Sequence, residues 1–390
     1  MLKTSSLMST YKRAPISIAK GNGSFVWDEN GNQYLDFTSG IATCNLGHTP
    51  EAVKNALIQQ LDQLWHCSNL YQIQVQEDLA HILVENSCFD EAFFCNSGAE
   101  ANEAAIKLAR LYANQINNMK EPEIVTFKQS FHGRTMATLS ATGQEKIQNG
   151  FEPLLQGFTY LPYNDFSSLE YVKNRTPAAV MLELVQGEGG VIPADKEWIQ
   201  KLDTICKSQN ILLIIDEVQT GIGRTGTLFA YEQYNFEPDI ITLAKGLGSG
   251  FPIGAMLAKE HVARVFGPGT HGSTFGGNPL AATAGLTTVR YILANHILQH
   301  SQIQSKYILS ELEKLQSHCP QIKEVRGKGL LIGLVIENAN NIVQLAREEG
   351  ILILTAGENV VRLLPPLTVT KEEIDLFLKC FKKILLKMER

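Results

Sequence analysis

Two short apolar runs, residues 211–215 (ILLII) and 240–244 (IITLA), constrain this chain more than any other feature. Each falls far below the roughly 18–20 residues of a membrane-spanning helix. Each is rich in isoleucine and leucine, the composition of strands buried on both faces of a parallel sheet. Asp216 follows the first run and Lys245 the second. A carboxylate and an amine would then stand at the carboxyl edge of one sheet, where open α/β sheets bind their ligands.

The surrounding sequence repeats the pattern. Apolar strands are expected at 92–95, 124–127, 179–185, 211–215, 240–243 and 253–257, with helices at 99–119 and 197–208. That alternation predicts an α/β fold with a mostly parallel sheet covered on both faces. Residues 1–45 read as an arm and a hairpin turning at Asn30-Gly31, residues 46–278 as a large domain, and residues 279–390 as a smaller α+β domain. Thr49 is expected to cap a helix that starts at Pro50, with Val53, Ala56, Leu57, Leu61 and Leu64 on one face. Toward the C-terminus, helices are expected at 280–294, 303–315 and 371–388, and strands at 330–336, 351–354 and 360–364.

Among its 390 residues 44% are hydrophobic and 19% charged, as in ordinary globular proteins. A formal net charge of -6 gives no basic footprint for nucleic acid or an anionic membrane, so neither is expected as a partner. The first residues lack the apolar core of a secretory signal. Seven cysteines, at 44, 67, 88, 95, 206, 319 and 380, are scattered without a C-x-x-C pair, which suits reduced thiols in the cytoplasm. No metal-ligand spacing, Walker loop or complete dinucleotide loop occurs.

Lys245 precedes GLGSGFP, which cannot run on as a regular helix through Pro252. A lysine desolvated at a sheet edge is the kind that forms Schiff bases, although a solvated lysine at a strand end fits the local sequence as well. Asp216 is either a turn-satisfying carboxylate or the partner of a protonatable ring nitrogen. The stretch FFCNSGAEANEAA places Ser97 and Gly98 at a helix start, a ready phosphate site and equally an N-cap. Arg134 suits a surface ion pair or a ligand carboxylate. Arg362, inside an apolar strand, calls for a carboxylate partner from protein or substrate. His132 suits a structural or orienting role more than that of a general base.

Taken together, SGAEANEAA (97–105), FHGRT (131–135), LVQGEGG (184–190), DEVQTGIGRTG (216–226), LAKGLGSGFPIGA (243–255), HGSTFGGNPLA (271–281) and RLLPPL (362–367) resemble the class III pyridoxal-phosphate-dependent aminotransferases. The likeness covers nearly the whole chain. Within that class it looks most like the acetylornithine aminotransferases, whose nearest relatives are the ornithine aminotransferases.

The resemblance implies the fold-type-I architecture of aspartate aminotransferase, with a seven-stranded type of sheet and an active site shared by the subunits of a homodimer. It implies pyridoxal 5'-phosphate bound to Lys245, with Asp216 at the ring nitrogen, Val218 beside the ring, Gln219 near the ring hydroxyl and Phe131 stacked on the ring. Ser97 and Gly98 would hold the phosphate, joined by Thr274 of the partner subunit. Arg134, with Ser273 nearby, would take the donor's carboxylate. Arg362 would take the α-carboxylate of glutamate, and Glu188 would pair with Arg362 in glutamate's absence.

Two tyrosines line the substrate pocket in ornithine aminotransferases; Phe25 and Ile41 match them here. Neither offers a hydroxyl to a free α-amino group, which favours an acylated donor such as N2-acetyl-L-ornithine. Ornithine, 4-aminobutyrate and succinyl-diaminopimelate are the alternative donors. Aminomutation, or cofactor binding without turnover, are the other readings.

Overall fold

The computed structural model describes residues 6–388. Its central feature is a seven-stranded sheet built from β1 (Glu91–Cys95), β2 (Ile124–Phe127), β3 (Phe158–Leu161), β4 (Ala179–Leu182), β5 (Leu212–Asp216), β6 (Ile240–Leu243) and β7 (Gly254–Ala258). They lie side by side in the order β1-β7-β6-β5-β4-β2-β3. The contacts among β3, β2, β4, β5 and β6 are parallel, and β7 runs antiparallel to both neighbours. The expected mostly parallel α/β sheet is the one observed.

Alternation along the strands explains why each reads as an unbroken apolar run. Leu212 and Ile214 of β5, with Ala179 and Met181 of β4, pack in one cluster with Ala105, Leu108 and Ala109 of the helix Gly98–Gln115. Leu213, Ile215, Val180 and Leu182 point the other way, into a cluster with Trp198, Ile199 and Leu202 of the helix Lys196–Gln209. Successive side chains thus bury on opposite faces, and each fully buried leucine or isoleucine contributes about 1.5–3 kcal/mol.

The N-terminal strands Ile18–Asn22, Phe25–Asp28 and Gln33–Asp36 form an antiparallel unit, with the expected turn at Gly31, whose φ is 84°. Ile351–Leu352 adds to it in parallel from the far end of the chain. A separate antiparallel sheet carries Ile322–Lys328, Leu331–Ile336, Val360–Leu363 and Leu354–Ala356 in that spatial order. Arg362 lies inside it, opposite Gly333 on one side and Leu354 on the other.

Several expectations are corrected. Thr49 does not cap the following helix: its φ is 50°, its hydroxyl donates to the Gly21 carbonyl, and the helix runs Glu51–Leu61 after Pro50, leaving Leu64 beyond its end. The run 179–185 breaks after Leu182, and Val185–Gln186 pairs instead with Ile192–Pro193. The run 351–354 likewise divides between two sheets. The helix expected at 303–315 begins earlier, as Ile297–His318, and β3 was not anticipated.

Candidate active site

The carboxyl ends of β1, β2, β4, β5 and β6, with the amino end of the antiparallel β7, meet around a cavity of about 400 Å³. Ser97, Gly98, Phe131, Arg134, Asp216, Val218, Gln219 and Lys245 all line it, so the structure brings together most of the residues expected from sequence.

Asp216 ends β5 and is buried. Its Oδ2 accepts from Asn102 Nδ2 at 2.8 Å and from His132 Nδ1 at 2.8 Å, and its Oδ1 accepts from the Val218 N–H at 3.0 Å. Asn102 is itself fixed, donating to the His132 carbonyl at 2.7 Å and accepting from Thr242 Oγ1 at 2.6 Å. Three donors orient one carboxylate, and His132 does so by gripping Asp216.

Lys245 leaves β6 with φ 39°, a left-handed conformation that a lysine adopts at a cost of about 1–2 kcal/mol. Burial pushes its ammonium below the usual lysine range, against the opposing pull of the Glu188 carboxylate. Gly246 is required beside it, because a Cβ there would stand 2.1 Å from Asn45 Nδ2.

Ser97 caps the helix Gly98–Gln115: its Oγ accepts from the Glu100 N–H at 3.2 Å and its carbonyl from that of Ala101 at 3.0 Å. Helix starts leave N–H groups unserved, and Gly98 and Ala99, the first residues of this helix, line the cavity. A Cβ on Gly98 would meet Val218 Cγ1 at 2.7 Å, so only glycine lets this turn approach the Asp216 loop. Glu103, on the same helix, accepts from the N–H groups of Ala137 and Thr138.

Arg362 is buried, and its Nη1 donates to Glu188 Oε1 at 2.5 Å and to Gln219 Oε1 at 3.2 Å. Burial alone would raise the Glu188 carboxyl, but the charge and hydrogen bond of Arg362 hold it below the usual glutamate range. Gln219 Nε2 also reaches Glu188 Oε1 at 3.4 Å, so this side chain joins the cavity to the ion pair. Arg134 is exposed, its guanidinium 5.5 Å from the centre of the Phe131 ring.

Other expected residues lie apart. Ser273 accepts from Asn96 Nδ2 at 3.2 Å, and Thr274 is exposed in the same loop; neither lines the cavity. Phe25 and Ile41 are likewise outside its lining. Conversely, Glu183 had escaped notice. It lies directly after β4, lines the cavity, and accepts from the Phe131 N–H at 3.0 Å. Burial, aided by the nearby Asp216 charge, holds its carboxyl well above the usual range. A single glutamate inside AVMLELV was the available signal.

The chain matches the family model described as aminotransferase class-III over residues 7–385. It is 56% identical over 386 residues to a protein of Oceanobacillus iheyensis named acetylornithine aminotransferase, covering 99% of this chain and 97% of that one. The crystal structure of N-acetylornithine aminotransferase from Stenotrophomonas maltophilia superposes with a TM-score of 0.85 at 37% identity, covering 97% of this chain and 98% of that one. An ornithine aminotransferase structure from Toxoplasma gondii, described as having partial occupancy of PLP at its active site, gives a TM-score of 0.94 at 33% identity, covering 98% and 93%.

Proposed function

The chain belongs to the class-III aminotransferase family, and from that premise we propose that it transfers the amino group of N2-acetyl-L-ornithine to 2-oxoglutarate. The products would be N-acetylglutamate 5-semialdehyde and L-glutamate, a step of arginine biosynthesis, and the cofactor pyridoxal 5'-phosphate. The observation that carries the donor is the 56% identity to an acetylornithine aminotransferase along 99% of the chain.

The cavity's chemistry fits that cofactor. The N–H groups of Gly98 and Ala99 and the Ser97 hydroxyl are donors for a phosphate. Asp216, oriented by Asn102, His132 and Val218, is an anionic acceptor for a protonated ring nitrogen. Phe131 and Val218 offer apolar surface for a ring. When bound, pyridoxal phosphate supplies an electron sink that makes a proton on the amine-bearing carbon removable.

The chain's own residues then divide the work. Lys245 would hold the cofactor and, with its ammonium pushed below the usual range by burial, would take and return that proton at Nζ. Asp216, held by Asn102 and His132, would accept from the ring nitrogen, and Gln219 would serve the ring hydroxyl. Arg134, at the exposed mouth, receives the donor's carboxylate with Ser273 nearby. Arg362 receives the α-carboxylate of glutamate or 2-oxoglutarate once Glu188 releases it, so one pocket serves two different substrates in turn.

Thr274 would complete the phosphate site in a partner subunit of a homodimer. The exposed apolar side chains of Trp65, Leu70, Tyr71 and Phe275 support this, since the loop bearing Thr274 is joined to their segment by Asn69, which donates to the Ser273 and Gly276 carbonyls, and by the His66–Phe275 ring contact. We place the reaction in the cytoplasm, and assign residues 46–278 to the cofactor-binding domain, with 1–45 and 279–390 forming the smaller one.

A donor panel with 2-oxoglutarate tests the reading. N-acetylornithine should give the highest kcat/KM; a higher value for ornithine would overturn the acylated donor while leaving the transaminase intact.

A further inference from the structure

The chain that leaves β2 must satisfy its backbone as it runs into the cavity wall. The N–H of Gln129 donates to the Gly143 carbonyl at 2.8 Å, that of Ser130 to the Phe127 carbonyl at 3.1 Å and that of His132 to the Thr142 hydroxyl at 2.9 Å. Phe131, between them, depends on a more distant group: its N–H donates to Glu183 Oε2 at 3.0 Å. No second hydrogen bond to that N–H occurs among the described residues.

Glu183 is itself held. Its carbonyl accepts from the Tyr163 hydroxyl at 2.7 Å. It follows β4, which pairs in parallel with β5 so that Leu182 lies opposite Ile215. The next positions along the two chains are Glu183 and Asp216, both of which line the cavity. Asp216 takes three donors, from Asn102, His132 and Val218, whereas the Glu183 carboxyl takes the Phe131 N–H. Two buried carboxyls side by side are not both ionised cheaply. Burial, followed by the Asp216 charge, accordingly favours the protonated form of Glu183. A protonated carboxyl still accepts at one oxygen, and a glutamine amide has the same shape and the same acceptor.

We propose that Glu183 is a positioning residue for the cofactor: by accepting from the Phe131 N–H it fixes the Phe131 ring in the cavity wall and, with it, the Arg134 guanidinium 5.5 Å from the ring centre. Without that acceptor a backbone donor would be left unpaired, and the segment would move to satisfy it. This role rests on the cavity holding pyridoxal phosphate and is independent of which amine is the donor.

The test removes the cofactor from the full-length protein, titrates pyridoxal phosphate back, and follows amide exchange across residues 128–135 by mass spectrometry in the cofactor-free chain. Glu183→Gln keeps the reach and an acceptor oxygen but loses the acid; Glu183→Asp keeps the acid but falls one methylene short. Glu183→Gln should therefore bind pyridoxal phosphate nearly as tightly as the unaltered chain and protect these amides as well. Glu183→Asp and Glu183→Ala should each bind about tenfold more weakly, the scale of one hydrogen bond, and exchange the same amides faster. If Glu183→Ala fails to fold, the comparison of glutamine with aspartate decides. Full affinity and protection in Glu183→Asp or Glu183→Ala would overturn the proposal, and so would a Glu183→Gln protein as weak as Glu183→Asp. An unaltered chain that bound no pyridoxal phosphate would instead refute the cofactor reading, while the exchange data would still report whether Glu183 holds the segment.

Discussion

Arg362 Nη1 and Glu188 Oε1 meet at 2.5 Å although 174 residues separate them in the chain. A buried guanidinium without an anion is costly, so Glu188 neutralises Arg362 here, and in the proposed reaction a substrate carboxylate would take its place. Glu188→Gln should therefore leave Arg362 open to any α-carboxylate. We expect KM for 2-oxoglutarate to fall, and the preference for N-acetylornithine over ornithine, as the ratio of kcat/KM, to shrink about tenfold, equivalent to losing one charge-assisted contact. An unchanged ratio would show that Glu188 plays no part in substrate choice.

Lys245 should be indispensable in a way that separates chemistry from folding. On the proposed reading Lys245→Ala would remove both the cofactor link and the proton carrier, and turnover should drop by at least about 10³-fold. The visible absorbance of lysine-linked cofactor should disappear, while the thermal unfolding of the cofactor-free protein stays close to that of the unaltered chain. Retention of absorbance and turnover together would remove Lys245 from the mechanism.

How far sequence reached is set by where each residue's partners lie. Strands β2 and β6 match their expected limits because both faces are buried, so every position must be apolar or small. β3 escaped because it is an edge strand, half-buried along FTYL, with no such demand on its composition. Asp216 and Lys245 were legible as charges ending apolar runs. Asn102 and Arg224 were not, because what makes them important is held elsewhere: Asp216 for the first, and Asn45, Leu330 and Pro365 for the second. Glu183 lay inside an apolar run read as continuous, and only the break in the strand after Leu182 reveals it as a cavity residue.

The pair of His48 and Asp36 makes stability depend on pH with a definite sign. The folded-state value of His48 is raised from 6.5 to about 10, so the ring binds its proton more tightly folded than unfolded. Its contribution is complete below about pH 6.5, declines as pH rises from there, and is lost once pH passes about 10. His48→Gln should cost about 2 kcal/mol at mildly acidic pH, the scale of a charge-assisted hydrogen bond, and much less above about pH 10. Urea unfolding of both proteins across that range checks it. A pH-independent difference would mean that packing, not charge, is what His48 contributes.

Ile41 sits in an unusual turn. Ser39, Gly40, Ile41 and Ala42 have φ of 45°, 61°, 63° and 60°, a full left-handed turn in which glycine alone is at ease. Ser39 is held there by its hydroxyl, which donates to the Leu364 carbonyl at 2.6 Å, and Ala42 is buried. Ile41 has neither tie, being 44% exposed, so its β-branched side chain carries strain with little burial in return. Asparagine tolerates this conformation, and Ile41→Asn should stabilise the subunit by about 1 kcal/mol, the lower end of the left-handed penalty. Differential scanning calorimetry would register this as a higher Tm. A lower Tm would instead mean that something covers Ile41 in the assembled enzyme. That outcome would place it at the subunit boundary, where its likeness to the substrate-lining tyrosine of ornithine aminotransferases would acquire a structural basis.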